Sequence, residues 1–387
     1  MTDARPTIPV ARYGERLARA QALLRSRVIG ALLVGVGADL RYLSGYVAMP
    51  LERLTMLVLQ ASGRPLVVVP RLEAMAAAAA PAVRAGLVDV VPWDETDDAH
   101  ALVASRLGPA GIAPGARLLA SDRLWAMHVL GLQRVLPGAE LGLASDLLSE
   151  LRMAKDADEV ALLRLAAQAA DRVVAQIAGG RLVGRTELDV SREVRERLLA
   201  EGHDLAEFAI VASGPNSASP HHDATERVIL PGEPIVLDIG GSRDGYCSDT
   251  TRTLWVTGGD PANGPTPDFR RLFDLLRDAQ AAASSAVRPG VACEDIDAVA
   301  RGIITAGGHG PAFFHRVGHG IGLETHEDPY LVAGNDRPLR AGMAFSVEPG
   351  IYLAGRYGAR IEDIVVCGSD GPDVLNESSR DLWVVPG

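Results

Sequence analysis

Four acidic residues and one histidine in the second half of the chain stand where an ordinary surface charge would not be placed. Pro234-Ile235-Val236-Leu237-Asp238-Ile239-Gly240 reads as a strand whose period of two puts Asp238 on the same face as Val236. A turn at Ser242-Arg243-Asp244-Gly245 sends the chain back through Cys247-Ser248-Asp249-Thr250-Thr251-Arg252-Thr253, which brings Asp249 roughly opposite Asp238, within a residue or two of register. Later, Met343-Ala344-Phe345-Ser346-Val347-Glu348-Pro349-Gly350 is a strand ending in an acid. After a turn centred near Gly355, Arg360-Ile361-Glu362-Asp363 sets Glu362 against Glu348. Between the two acid pairs lies His315-Arg316-Val317-Gly318-His319-Gly320-Ile321-Gly322, whose glycines let backbone approach closely around His319. Like charges 4 Å apart at an effective dielectric of 20 repel by about 4 kcal/mol. Cations must therefore sit among these carboxylates, or some of them must hold protons. Two divalent cations offset four acids, and an oxygen-rich set with one imidazole suits manganese, cobalt or iron, with zinc also compatible.

The elements that position these residues come in two similar halves. Asp189 to Gly202 and Asp295 to Gly308 have the same length and the same apolar rhythm, Val190, Val194 and Leu198 against Ile296, Ala300 and Ile304. Each leads to a histidine-bearing stretch, then a glycine turn and a strand: Gly232 precedes Asp238, and Gly342 precedes Glu348, by the same interval. Two such halves can bury one core and place equivalent acids on either side of a pseudo-twofold cleft. Upstream, residues 11–27 form an amphipathic helix with Leu17, Leu23 and Leu24 on its stripe. Strands are expected at Val28–Val36, Leu54–Gln60, Pro65–Val69, Leu87–Trp93 and Arg117–Ala120, with an alanine-rich helix at Glu73–Arg84 and another at about 122–136. Alternating strands and helices make an α/β domain of this part. Ser145 to Gly179 lacks Pro and Gly until its end and reads as one or two long helices crossing a domain boundary.

Composition narrows the function classes. The 387 residues suffice for two or three domains, and 48% hydrophobic with 22% charged residues is ordinary for a globular protein. A net charge of -11 with no block of Lys and Arg argues against nucleic acid. Cys247, Cys293 and Cys367 form neither a disulfide framework nor a cysteine zinc site, which fits a reducing cytoplasm. Met1-Thr2-Asp3-Ala4-Arg5-Pro6 lacks the charged-then-apolar pattern of a signal peptide, and the first apolar run is too short to span a bilayer. Gly35-Val36-Gly37 fails as a dinucleotide loop because Leu40 stands at the third glycine position. No His-Glu-x-x-His zinc helix occurs. His100, His128, His203 and His309 read as surface or helix-end residues, and His222 equally as a solvated neighbour of His221 or a substrate contact.

The ordered set Asp238, Asp249, His319, Glu348 and Glu362 resembles the dinuclear metallopeptidases of the pita-bread fold, the superfamily of methionine aminopeptidase, prolidase, aminopeptidase P and creatinase. Ala212-Ser213-Gly214-Pro215-Asn216-Ser217-Ala218 before Pro220-His221-His222, and Gly318 through Glu327, make it most similar to bacterial Xaa-Pro peptidases. The resemblance covers about 180–387 closely and the first 140 residues loosely, through Arg41-Tyr42-Leu43-Ser44-Gly45-Tyr46. It implies a creatinase-like α/β N-terminal domain over 1–144, a linking helical segment over 145–180, and an α+β pita-bread catalytic domain with a pseudo-twofold repeat over 181–387. It further implies that Asp249 and Glu362 bridge two metal ions, that Asp238 completes one, and that His319 with Glu348 completes the other. A bridging hydroxide would attack, with Glu348 passing the proton to the leaving imino nitrogen. His326 would polarise the scissile carbonyl, His221 and His315 would line the substrate pocket, and Arg360 would hold a ligating carboxylate. The implied enzyme is a cytoplasmic, homodimeric aminopeptidase P or Xaa-Pro dipeptidase acting on short proline-containing peptides. A creatinase-like hydrolase or lyase acting on a small non-peptide molecule is the alternative, and a non-catalytic binding module of the same fold is another.

One position departs from the dipeptide-specific members, which carry an arginine shortly after the His-Glu pair where it can grip the dipeptide carboxylate. Here that stretch is His326-Glu327-Asp328-Pro329-Tyr330, and Tyr330 forms no ion pair of that kind. Arg337 or Arg356 could substitute.

Overall fold

The computed structural model describes residues 7–109 and 113–387; the N-terminal reading of residues 1–6 lies outside the described residues. The chain divides into two compact units, Ile8–Arg152 and a second beginning at Met153.

In the first unit, helix Val10–Ser26 buries Tyr13, Leu17, Ala20 and Leu24, a stripe spaced four, three and four residues apart, with Leu23 half-buried beside it. Strands β1 (Ala31–Val34), β2 (Met56–Gln60), β3 (Leu66–Pro70), β4 (Asp89–Trp93), β5 (Arg117–Ala120) and β6 (Glu140–Leu143) form one sheet in the order β4-β3-β2-β1-β5-β6. The expected helix over Glu73–Arg84 is instead broken into Ala74–Ala78 and Pro81–Arg84. Proline has no N–H to continue the first helix and suits the first turn of a new one, so Pro81 ends one helix and starts the next.

The second unit repeats one arrangement twice. Helix Ala157–Ala178 opens on a capping box of Asp156 and Glu159. With helix Glu187–Ala200 it covers the sheet of β7 (Leu205–Ser213), β8 (Glu233–Arg243), β9 (Tyr246–Cys247), β10 (Thr250–Val256) and β18 (Trp383–Val385). Helices Pro267–Ala286 and Cys293–Ala306 cover the sheet of β11 (Gly318–Gly320), β12 (Glu327–Leu331), β13 (Ala344–Val347), β16 (Asp363–Cys367) and β17 (Pro372–Val374). Between β13 and β16, β14 (Gly350–Leu353) and β15 (Tyr357–Arg360) form a hairpin. The equivalent helices Glu187–Ala200 and Cys293–Ala306 are both 14 residues long.

Period-two alternation then divides each sheet. Ile235, Leu237 and Ile239 pack under the first helix pair with Val190, Val194 and Leu198. Phe345 and Val347 pack under the second with Ile296, Ala300 and Ile304. The alternate positions, Asp238 in one sheet and Ser346 and Glu348 in the other, are left to the opposite face, where the two acid pairs meet. All three cysteines are buried and unbridged, and burial pushes the Cys247 thiol up to about 12. Among the described residues no helix is long and apolar enough to cross a membrane.

Candidate active site

The first acid pair is set by a two-residue turn. Asp244 and Gly245 both have positive φ, 47° and 80°, as a tight hairpin between β8 and β9 demands. The register it starts places Thr251 directly opposite Asp238. Asp249 lies two residues before Thr251, in the break between β9 and β10, diagonally across from Asp238. For the second pair, Val347 faces Asp363 and Gly350 faces Arg360, so one continuous register brings Glu348 and Glu362 opposite each other in the gap between. A single bridge, Thr251 to Glu362, ties the two sheets together at this point.

His319 sits on β11 where three backbones crowd. A Cβ on Gly318 would come within 1.9 Å of the Ser346 carbonyl oxygen, and one on Gly320 within 2.2 Å of the Asp328 oxygen. Only glycine allows that approach. The His319 Nδ1 lies 3.2 Å from the Gly320 carbonyl oxygen, to which it must donate. Its Nε2 is then a lone pair, directed at Asp249 Oδ2 (3.5 Å) and Glu348 Oε1 (3.3 Å). Burial, with the nearby His326, lowers the imidazole to about 3, so the ring is neutral. A lone pair facing two carboxylates is repelled unless a cation lies between them.

The carboxylates make the same demand. Asp238, Asp249 and Glu362 are buried, and Glu348 is partly open to a cavity of about 790 Å3. Burial first, then repulsion from Asp238 and Glu348, raises Asp249 well above the usual carboxylate range; burial and Asp249 do the same to Glu362. Glu348 is pushed up to about 7 by burial, against the opposing charges of Arg360 and Arg316. Asp238 Oδ1 and Glu362 Oε1 are buried with no hydrogen-bond donor among the described residues. Ligand atoms of Asp238, Asp249 and Glu362 lie within 4.8 Å of one another, as do those of His319, Glu348 and Glu362, and those of Asp249, His319 and His326. Orphaned oxygens, a neutral imidazole and overlapping triads fit two divalent cations sharing ligands.

A frame of hydrogen bonds aims these groups. Arg360 pairs with Asp238 Oδ2 and donates to Thr251 Oγ1 (3.1 Å), the Tyr352 hydroxyl (2.9 Å) and the Pro220 carbonyl (3.2 Å). Thr251 in turn donates to Glu362 Oε2 at 2.7 Å. The Tyr352 hydroxyl is 2.9 Å from His315 Nε2, and His315 Nδ1 is 2.7 Å from the Arg316 carbonyl oxygen. His315 therefore donates through Nδ1 and accepts through Nε2. Burial, with the charge of Arg360, lowers it to about 3. Beside Glu362, Asp363 is held by buried Arg252 at 2.7 Å and by Gln280 at 2.9 Å.

His221, His315 and His326 all line the cavity, together with Phe208, Ile210 and Phe314, and the His326 ring lies 4.1 Å from that of His319. Arg337 and Arg356 do not line it; the cavity's guanidinium groups are Arg316 and Arg360. His222 is neither solvated nor a cavity residue, because its Nε2 lies 2.8 Å from Glu187. That fully buried carboxylate also accepts from the Ser213 N–H and hydroxyl, Asn216, and the Thr225 N–H and hydroxyl. His128 and His203 lie near helix ends but are buried rather than on the surface. Glu187, Thr251, Tyr352 and Arg316 were not singled out from the sequence. For Thr251 the signal was present in the Asp-Gly turn, whose two-residue length fixes Asp238 opposite Thr251 rather than Asp249.

Residues 161–369 match the family described as Metallopeptidase family M24, and residues 16–154 match Creatinase/Prolidase N-terminal domain. The probable dipeptidase PepE of Mycobacterium tuberculosis is 45% identical over 375 residues, 97% of each chain. An Xaa-Pro dipeptidase of Lactobacillus helveticus is 33% identical over 89% of this chain and 92% of its own. The crystal structure of dipeptidase PepE from Mycobacterium ulcerans superposes with a TM-score of 0.91 at 45% identity, covering 98% of this chain and all of that one.

Proposed function

The chain belongs to metallopeptidase family M24, and from that membership we propose that it hydrolyses the Xaa-Pro bond of short peptides, dipeptides foremost, with two divalent metal ions. The observation that carries this reading is the complete set of Asp238, Asp249, His319, Glu348 and Glu362 around one cavity, with buried carboxylate oxygens left without donors. Asp238, Asp249 and Glu362 would hold one cation, and His319, Glu348 and the shared acids the other, with manganese the proposed metal. When bound, such cations supply a water of lowered pKa and a Lewis acid for the carbonyl.

The chain's own residues do the rest. Glu348 takes the proton of the attacking water at a carboxylate oxygen and delivers it to the proline nitrogen as the peptide bond breaks. His326, at the cavity edge, donates to the carbonyl oxygen as charge develops there. Phe208, Ile210 and Phe314 offer apolar wall to the pyrrolidine ring, and His221 and His315 complete the pocket. Arg360 and Thr251 keep Asp238 and Glu362 aimed inward. A homodimer in the cytoplasm is part of the same proposal.

The test is cleavage of Xaa-Pro, Xaa-Pro-Yaa and Xaa-Ala-Yaa by manganese-loaded protein beside a chelated control. Metal-dependent cutting of the proline peptides and not of the alanine one supports the reading. No cutting of any member, with metal shown to be bound, moves the assignment to a small non-peptide substrate.

A further inference from the structure

Of the two guanidinium groups lining the cavity, Arg360 is consumed by Asp238, Thr251, Tyr352 and the Pro220 carbonyl. Arg316 is half-buried and, among the described residues, pairs with no carboxylate. Its side chain instead lies over the ring of Tyr330, with Cζ 4.3 Å from the centroid. A guanidinium spread on an aromatic face keeps its plane fixed and its N–H edge free for a planar anion. Tyr330 is the ladder partner of His319 across β11 and β12, and paired residues of an antiparallel ladder share a face. The cation is thus shelved one rung from a metal-ligand position. Arg337 is exposed and does not line the cavity, and Arg356 donates to the Tyr357 hydroxyl beside a different cleft.

We infer that Arg316, supported by Tyr330, binds the C-terminal carboxylate of a dipeptide substrate and makes the enzyme prefer free-acid dipeptides to amidated or longer peptides. This rests on the peptidase reading above. In a dipeptide the carboxylate lies within one residue step, about 3.8 Å, of the scissile bond. A substrate anion buried in the cavity needs a fixed positive partner, and Arg316 is the lining guanidinium that pairs with no carboxylate among the described residues. In a tripeptide the same place is taken by a neutral amide, which cannot accept a charge-assisted, two-point pair.

The experiment compares kcat/KM for Ala-Pro, Ala-Pro amide and Ala-Pro-Ala with metal-loaded full-length protein, wild type and Arg316→Ala. Wild type should favour the acid over its amide by about 100-fold, as expected for a hydrogen-bonded charge pair, chiefly through KM. Arg316→Ala should bring that ratio towards one. Arg316→Lys, which keeps the charge but loses the fork, should restore part of it, and Tyr330→Ala should lower it partway. Metal content and circular dichroism establish that each variant is folded. A second readout needs no turnover: calorimetric titration should show proline binding wild type tens of times more tightly than prolinamide, and this gap should vanish in Arg316→Ala. A wild-type acid-to-amide ratio near one, or equal losses on acid and amide in Arg316→Ala, overturns the inference. Faster cleavage of Ala-Ala than of Ala-Pro would defeat the proline reading alone, since the acid-to-amide ratio and the titration would still report on Arg316.

Discussion

A buried carboxylate can act as a base near neutrality only if its surroundings raise its proton affinity without locking the proton in place. Glu348 meets both conditions: burial lifts it to about 7, and it is the least buried of the four acids that line the cavity. Glu348→Gln removes the proposed proton acceptor and proposed charged ligand together, so kcat/KM on Ala-Pro should fall by at least about 1,000-fold; near-normal turnover would sink the mechanism. Arg360 works differently, because its guanidinium is committed to Asp238, Thr251, Tyr352 and the Pro220 carbonyl. Arg360→Met leaves Asp238 buried without its partner among three other acids, which should cost about 3–5 kcal/mol in urea unfolding and reduce metal content. Unchanged stability and metal content would mean that Asp238 needs no such partner. The metal-ligand candidates and Arg360 were legible in the sequence because their types and order are unusual for strand residues. Arg316 was not, because an arginine beside glycines looks like any solvated charge until the cavity around it and the ring beneath it are known.

Among the elements, Glu187 does the most to place a segment it is distant from in sequence. It caps nothing for its own helix and instead collects donors from Ser213 to Thr225, the stretch that delivers His221 to the cavity. Burial alone would raise this carboxyl, but the Ser213 N–H, His222 and Asn216 outweigh it and hold it down to about 2. The folded value is depressed below the unfolded one of about 4.5. Its contribution is therefore complete above about pH 4.5 and is lost as the pH falls toward 2. Glu187→Gln should cost about 3 kcal/mol at pH 7 and flatten the acid limb of the stability curve; an unaltered acid limb would refute the assignment. Element by element, alternation and glycine turns made most strands and the paired helices legible. The expected Glu73–Arg84 helix breaks in two because Pro81, a local stop signal, outweighs the alanine content around it. The side-chain hub at Glu187 had no local signal at all, since its partners lie 26 to 38 residues away.

For the molecule as a whole, two repeated halves present their acids to one face, and a metal-free fold bears the repulsion that results. Glu348, Asp249 and Glu362 all have proton affinities raised above the usual range, burial being the largest cause of each. A carboxyl raised in the folded state stays protonated while its unfolded counterpart ionises. For Glu348, metal-free stability is thus highest below about pH 4.5 and declines as the pH rises toward about 7. Divalent cations should reverse that slope, because they would displace the protons and favour the folded form, in which the ligands are gathered. Saturating metal should therefore raise the Tm by about 5 °C at pH 8, given about 4 kcal/mol at a thousandfold excess over Kd. At pH 5.5 the increment should be clearly smaller, since protons compete for the same oxygens. Differential scanning of chelated and manganese-loaded protein at the two pH values measures both increments. Equal increments would mean that the acids are already ionised without metal, and that the orphaned oxygens of Asp238 and Glu362 are not what the cations satisfy.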